Sequence, residues 1–146
     1  MSVPIDDGNC FACGPDNPIG IGLSFEPSDD GGVRARVSLG PQFQGWRRIA
    51  HGGIAMTLLD EAMAHAAGHA GQRGVTASVN VRFRKPVPLG EPLEIRGRVA
   101  SVRRNVLFLE ARVLDAEGVT LAEGDGKFVS MGPLDAANDR RNPART

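Results

Sequence analysis

The sequence predicts an α+β domain in which one helix packs against a curved antiparallel sheet. Three observations lead there. A single stretch, His51 to Ala70 (HGGIAMTLLDEAMAHAAGHA), has the composition of a substantial helix. Apolar and polar residues elsewhere alternate with a period of two, the mark of half-buried strands. Short connections join the later alternating runs, so neighbouring strands pair antiparallel and an apolar helix must bury itself on their sheet. The chain of 146 residues suits one domain over 1–146 with a single core.

In chain order, residues 1–20 read as irregular, with Pro4, Pro15, Pro18 and several glycines. Within them CFACGPDNPIG carries a CxxC, Cys10 and Cys13. A structural zinc site wants four ligands, usually two such pairs, and no second pair follows. A redox CxxC wants a strand before it and a helix after it, which Gly14-Pro15 opposes. The expectation is a local structural knuckle. Gly22–Phe25 reads as a short strand, and Gly32–Leu39 alternates Val33, Ala35, Val37 and Leu39 against Arg34, Arg36 and Ser38. A loop over Gly40–Ile49 holds Pro41, Gly45 and the only Trp.

The helix follows. Its Ala, Leu and Met favour helix, Gly71 and Gly74 are stop signals, and an all-round apolar surface predicts burial on every side. Beyond it, Val75–Lys85 alternates Val75, Ala77, Val79, Val81 and Phe83 against Thr76, Ser78, Asn80, Arg82 and Arg84, until Pro86, Pro88 and Gly90 end it. Leu93–Val102, Val106–Leu114 and Val119–Met131 are the remaining strands, joined by tight turns at Arg103-Arg104-Asn105 and Asp115–Gly118. The polar tail over 133–146 is expected to fray.

Composition narrows the function. Lys+Arg and Asp+Glu both number 17, which gives no electrostatic case for nucleic acid or an anionic membrane. The N-terminus has neither a basic start nor an apolar run, and no stretch reaches the roughly 18 apolar residues of a span. The expectation is a soluble, cytoplasmic protein without membrane or nucleic-acid partners.

The helix supplies the chemistry. In HGG, two residues without side chains stand at a helix N-terminus, where unpaired N–H groups carry the positive end of the dipole. A carbonyl can approach them closely, so Gly52, with Gly53 beside it, is a candidate oxyanion hole. Further along, the acid pair Asp60-Glu61 interrupts the apolar run, and a carboxylate there needs a reason. Asp60 could attack a carbonyl or take a proton from water. Glu61, about 100° further round, is expected to face solvent or an Arg. His65 and His69 have i, i+4 spacing but no third metal ligand, and read as helix-surface residues.

Asp60 lies eight residues beyond Gly52, roughly 12 Å along the axis. One carbonyl carbon cannot easily touch both within one subunit. Two such helices paired antiparallel about a two-fold axis would bring the start of one near the middle of the other. The chain is therefore expected to form a homodimer, or a dimer of dimers, with shared sites.

HGG, six residues and then Asp60, followed by TASVNVRFRKPVPLGEPL, resembles the hotdog-fold acyl-CoA thioesterases of the phenylacetate-pathway (PaaI-like) and 4-hydroxybenzoyl-CoA thioesterase type. CFACGPDNPIG and the FQGW before the histidine look like one subgroup. The resemblance covers about residues 9–131. It implies a hotdog fold and hydrolysis of an acyl- or aryl-CoA to acid and free CoA, with no metal or organic cofactor. By position, Asp60 would be nucleophile or general base, Gly52 would give the oxyanion N–H from a partner subunit, and His51 would shape the turn. Thr76 falls where relatives place a hydroxyl that orients water or the acid, with Ser78 its neighbour on the same strand face.

Relatives often carry Asn or a His-Gln pair where this chain has Phe43-Gln44-Gly45, and Gln44 is the candidate for that polar role. Many have Gly where Arg48 stands, and Arg47-Arg48 puts two cations near the site mouth. Arg84, Lys85, Arg103 and Arg104 are candidates for the CoA phosphates, through the donor fork of Arg. Met56, Leu59, Met63 and Phe83 are candidate pocket residues. Two alternatives share the fold: a non-catalytic acyl-CoA sensor, and an enoyl-CoA hydratase using an Asp/His pair. For the hydratase, Asp60 and His65 stand about 140° apart on the helix and do not face one site.

Overall fold

A computed structural model describes residues 5–133; the expected fraying tail lies almost wholly outside them. Strand β1 (Glu26–Pro27) and strand β2 (Val33–Val37) precede a 3₁₀ turn over Pro41–Phe43 and helix α1 (Gly52–His69). Strands β3 (Gln72–Phe83), β4 (Leu93–Arg103), β5 (Val106–Leu114) and β6 (Thr120–Pro133) follow. All six strands form one antiparallel sheet in the order β1-β2-β4-β5-β6-β3. The single helix against this sheet is the hotdog architecture. Among the described residues, no helix is long and apolar enough to cross a membrane.

The expected short strand over Gly22–Phe25 is not formed. Gly22 has φ +74°, a left-handed conformation that interrupts an extended run, and pairing starts at Glu26–Pro27. Helix α1 starts behind His51, whose ring Nδ1 accepts the Gly53 N–H at 2.9 Å. It ends before Gly71, which takes φ +82°.

One face of α1 is fully enclosed. Leu58, Leu59 and Met63 pack with Ile95, Leu107, Leu109, Val113 and Phe128 of the sheet, all below 2 % exposure. Close approach is set at Gly97 of β4, where an added Cβ would run into the Ala62 carbonyl. The expectation of a helix buried on every side is corrected here. Gly52, Gly53 and Met56 are exposed and Asp60 is half-buried, so a stripe spaced by four residues stays open beside β3.

Strand β3 is an edge strand, bonded only to β6, and its alternation does not run true. The register moves from Thr76↔Phe128 to Ser78↔Lys127, which leaves Ala77 as the extra residue of a β-bulge. Directly opposed residues share a sheet face. Thr76, opposite the buried Phe128, therefore faces the helix along with Val79, Val81 and Phe83. Ser78, opposite the exposed Lys127, faces outward. Thr76 and Ser78 do not share a face as expected; the bulge separates them.

Candidate active site

The bulge brings a hydroxyl to the acid. Thr76 Oγ1 donates to Asp60 Oδ1 at 2.8 Å, joining edge strand and helix at the end of the open stripe. Burial pushes the Asp60 carboxyl above the ordinary carboxylate range; the Thr76 hydrogen bond pulls it down, and the neighbouring Glu61 charge pushes it up again. A half-buried carboxylate with one oxygen held by a hydroxyl can accept a proton from water through the other.

At the helix start, His51 occupies the Gly53 N–H. Gly52 is different: among the described residues its N–H has no hydrogen bond, and the backbone bonds of the turn begin with Ile54 N–H to His51 O at 2.9 Å. Its surroundings are open, since a Cβ on Gly52 would meet only the Phe83 ring, at 3.8 Å. Gly52 rather than Gly53 thus has the available donor. Exposed Met56 and Phe83 flank it, at 46 % and 54 % exposure. Leu59 and Met63 are fully enclosed in the core rather than open to a pocket surface, a correction to the expectation for them.

The loop before the helix is a tight hairpin. Gln44 pairs with Ala50, and the Gln44 side-chain oxygen accepts the Arg48 N–H at 3.1 Å. Arg48 takes φ +65°, the conformation that explains why glycine suits this position. Gln44 is exposed and committed through one amide atom to the turn.

The basic candidates do not converge within one chain. Phe83 shares a sheet row with Ala122, Val113 and Ile95, whereas Arg103 shares one with Val106, Val129 and Val75. Arg84 and Lys85 lie at the Gly52 end of the sheet, Arg103 and Arg104 at the Thr76 end. Arg84 is also engaged, with its fork on Glu123 at 2.6 and 3.2 Å. Lys85, Arg103 and Arg104 are exposed.

Two residues sit where the sequence reading did not put them. Glu61 does not face solvent; at 13 % exposure it turns under the N-terminal segment, receives the Cys10 thiol at 3.5 Å and shares a cavity wall with Arg73. His65 is 12 % exposed, not a helix-surface residue, and its ring stacks on Phe25 at 4.5 Å. That contact holds it on the Glu61 side, away from the Thr76–Asp60 pair, and gives no geometry for an Asp60–His65 couple. His69 is exposed, as expected. The periodicity of the helix offered no signal for the burial of Glu61, because the covering segment lies some 50 residues earlier in the chain.

Comparison with known proteins places these features in context. The family model described as "Thioesterase superfamily" matches residues 48–122. Acyl-coenzyme A thioesterase THEM4 of Bos taurus is 33 % identical over 118 residues, covering 78 % of this chain and 48 % of that protein. The chain spans about half the length of the curated relatives it matches. Among solved structures, protein RHA08564, a thioesterase superfamily protein, has a TM-score of 0.81 at 28 % identity, covering 88 % of this chain and 68 % of that one. BH2602 of Bacillus halodurans, solved with CoA, has a TM-score of 0.67 at 27 % identity, covering 78 % and 77 %.

Proposed function

We propose that this chain, which belongs to the thioesterase superfamily, hydrolyses the thioester of an acyl- or aryl-CoA to the free acid and CoA. The observation that carries the proposal is the Thr76–Asp60 hydrogen bond on the same open stripe as the unbonded Gly52 N–H. The relatives named as acyl-CoA thioesterases and the relative solved with CoA support the substrate class.

In this reading Asp60 is the general base. Its carboxyl, raised by burial, takes a proton from water as the water oxygen attacks the thioester carbon. Thr76 orients the carboxylate. The negative charge that develops on the carbonyl oxygen is met by the Gly52 N–H and the positive end of the α1 dipole, and the C–S bond breaks as the tetrahedral intermediate collapses. The CoA thiolate leaves and the acid is released. His51 holds the turn by engaging Gly53, so that Gly52 points its N–H outward.

Two halves from two chains complete the site. Gly52 and Thr76 lie at opposite ends of β3, about 20 Å apart at strand rise. An unpaired 12-residue edge strand with exposed Val75, Ala77 and Phe83 invites pairing with a second copy. Antiparallel pairing about a two-fold axis near the middle of β3 would set Gly52 and Phe83 of one subunit beside Thr76 and Asp60 of the other. The same operation would bring Arg103 and Arg104 of one subunit toward Lys85 of the other, where CoA phosphates can be met by cations from both chains. Met56 and Phe83 would then contact the acyl arm, and Gln44 would line the mouth; Ser78, facing outward, and Arg84, held by Glu123, have lesser parts.

The test is complementation between inactive subunits. Asp60→Asn removes the base, and Gly52→Pro removes the N–H at a helix position that tolerates proline. A mixed dimer of the two carries one intact shared site and one dead one. Activity that reappears on mixing, at about half the wild-type value per mixed dimer, supports the shared site. Activity that stays absent, while mixed dimers are seen by native mass spectrometry, places both residues in one subunit and defeats it.

A further inference from the structure

The CxxC left without a partner in the sequence finds one in the fold. Cys10 and Cys13 sit on a loop closed by the Gly14 N–H to Cys10 O bond at 2.8 Å. A Cβ at Gly14 would run into the backbone of Gly8 and Cys10, so the turn requires glycine there. The Cys13 N–H points at Cys10 Sγ at 3.4 Å, an orientation that stabilises negative charge on that sulfur. Both sulfurs are directed at helix α1. Cys10 Sγ, Cys13 Sγ and a carboxylate oxygen of Glu61 all lie within 4.8 Å of one another.

His65 stands one helical turn on, beside Glu61. His65 Nε2 is 3.6 Å from Glu61 Oε1, the same oxygen that Cys10 Sγ approaches at 3.5 Å. That nitrogen is buried and has no hydrogen-bond partner. Its ring is fixed by the stack on Phe25, and Cys13 and His65 share the wall of a cavity of about 220 Å³. Donor atoms around a tetrahedral ion with Zn–S near 2.3 Å and Zn–N or Zn–O near 2.0 Å stand about 3.3–3.8 Å apart. The Cys10 Sγ–Glu61 Oε1 separation of 3.5 Å falls in that range. Arg73 lines a second cavity with Cys10, Cys13 and Glu61, placing a cation beside a site rich in negative charge.

We propose that Cys10, Cys13 and Glu61 form a three-donor zinc site that fastens the N-terminal segment to helix α1, with water in the fourth position. Two thiolates and a carboxylate suit a borderline-soft divalent ion. Binding exchanges protons for metal: each thiol gives up one proton to solvent as Zn²⁺ binds its sulfur, with no change of oxidation state. The site is separate from the Thr76–Asp60 pair, and its role is to anchor the helix on the far side of Glu61.

The experiment uses the reduced full-length chain, chelator-treated and then titrated with Co²⁺ as a spectroscopic stand-in for zinc. One Co²⁺ per chain, with strong visible bands of tetrahedral cobalt and near-ultraviolet thiolate-to-metal absorption, both erased by added Zn²⁺, is the expected result. Cys13→Ser should cut the near-ultraviolet band to about half or less, and Glu61→Gln should shift the visible bands while keeping it. Weak octahedral cobalt absorption from the wild type, or spectra unchanged in both variants, would overturn the site. So would a Cys10–Cys13 disulfide in protein purified without reductant, if after reduction it still takes up no metal. Because the wild-type spectrum decides by itself, a variant that fails to fold does not spare the proposal.

Discussion

Replacing Thr76 by Val keeps the shape of the side chain and removes only the hydroxyl that donates to Asp60 at 2.8 Å. A hydrogen bond to a charged group is worth about 1.5–3 kcal/mol net. Thr76 is exposed at the sheet edge, so the lower end applies. About 1.4 kcal/mol of lost positioning corresponds to roughly tenfold in kcat/KM. The pH profile gives a second readout with a defined sign. Asp60 works as the carboxylate, so activity fails as falling pH protonates it. Burial already holds that carboxyl above its ordinary value, and the Thr76 bond is the one contribution that lowers it. Without the bond the carboxyl rises further, and the acid limb of kcat/KM moves to higher pH. Thr76→Ser should restore both rate and profile. The assay is CoA release across pH for the three proteins. An acid limb that stays in place or moves to lower pH in Thr76→Val, with wild-type kcat/KM, would refute the coupling of Thr76 to Asp60.

Other outcomes follow from the same structure. Gly97→Ala should destabilise the fold by about 1–3 kcal/mol, because its Cβ drives β4 into the Ala62 carbonyl; urea unfolding measures it, and unchanged stability would deny that contact. Leu59→Ala should cost about 2–5 kcal/mol by emptying an enclosed core position, again read from urea unfolding. Val75→Lys with Phe83→Lys, at two exposed apolar positions on the edge strand, should give a folded monomer without activity. Light scattering together with the activity assay checks this, and an active monomer would defeat the shared site.

Periodicity made most of the fold legible. The alternation of β2 and of β4 to β6, and the one long helical run bounded by HGG and Gly71, carry enough signal to give element order and antiparallel pairing. The family resemblance pointed to HGG, Asp60 and Thr76 on one helix and the next strand, and Thr76 does bond Asp60. What stayed hidden depends on contacts distant in sequence. The bulge at Ala77 leaves the apparent alternation of Val75 to Phe83 intact while rotating Thr76 onto the other face. Glu61 and His65 look like surface residues of α1 until Cys10, Cys13 and Phe25 fold over them. The open stripe at Gly52, Met56 and Asp60 looked like core because exposed apolar residues on a helix read the same in sequence as buried ones. Arg84 looked available for phosphate, since its partner Glu123 stands on β6, 39 residues away.

The measurement that tests the central claim most directly is release of free CoA thiol from a panel of aryl- and alkyl-CoA esters by the wild type beside Asp60→Asn. The account predicts turnover of at least one ester by the wild type and its collapse in Asp60→Asn, with circular dichroism and binding of a CoA ester unchanged. Equal turnover by the two proteins would contradict the account and make Asp60 a structural residue. Tight binding of CoA esters with no turnover by the wild type would contradict it in another way, and would make the chain an acyl-CoA-binding protein.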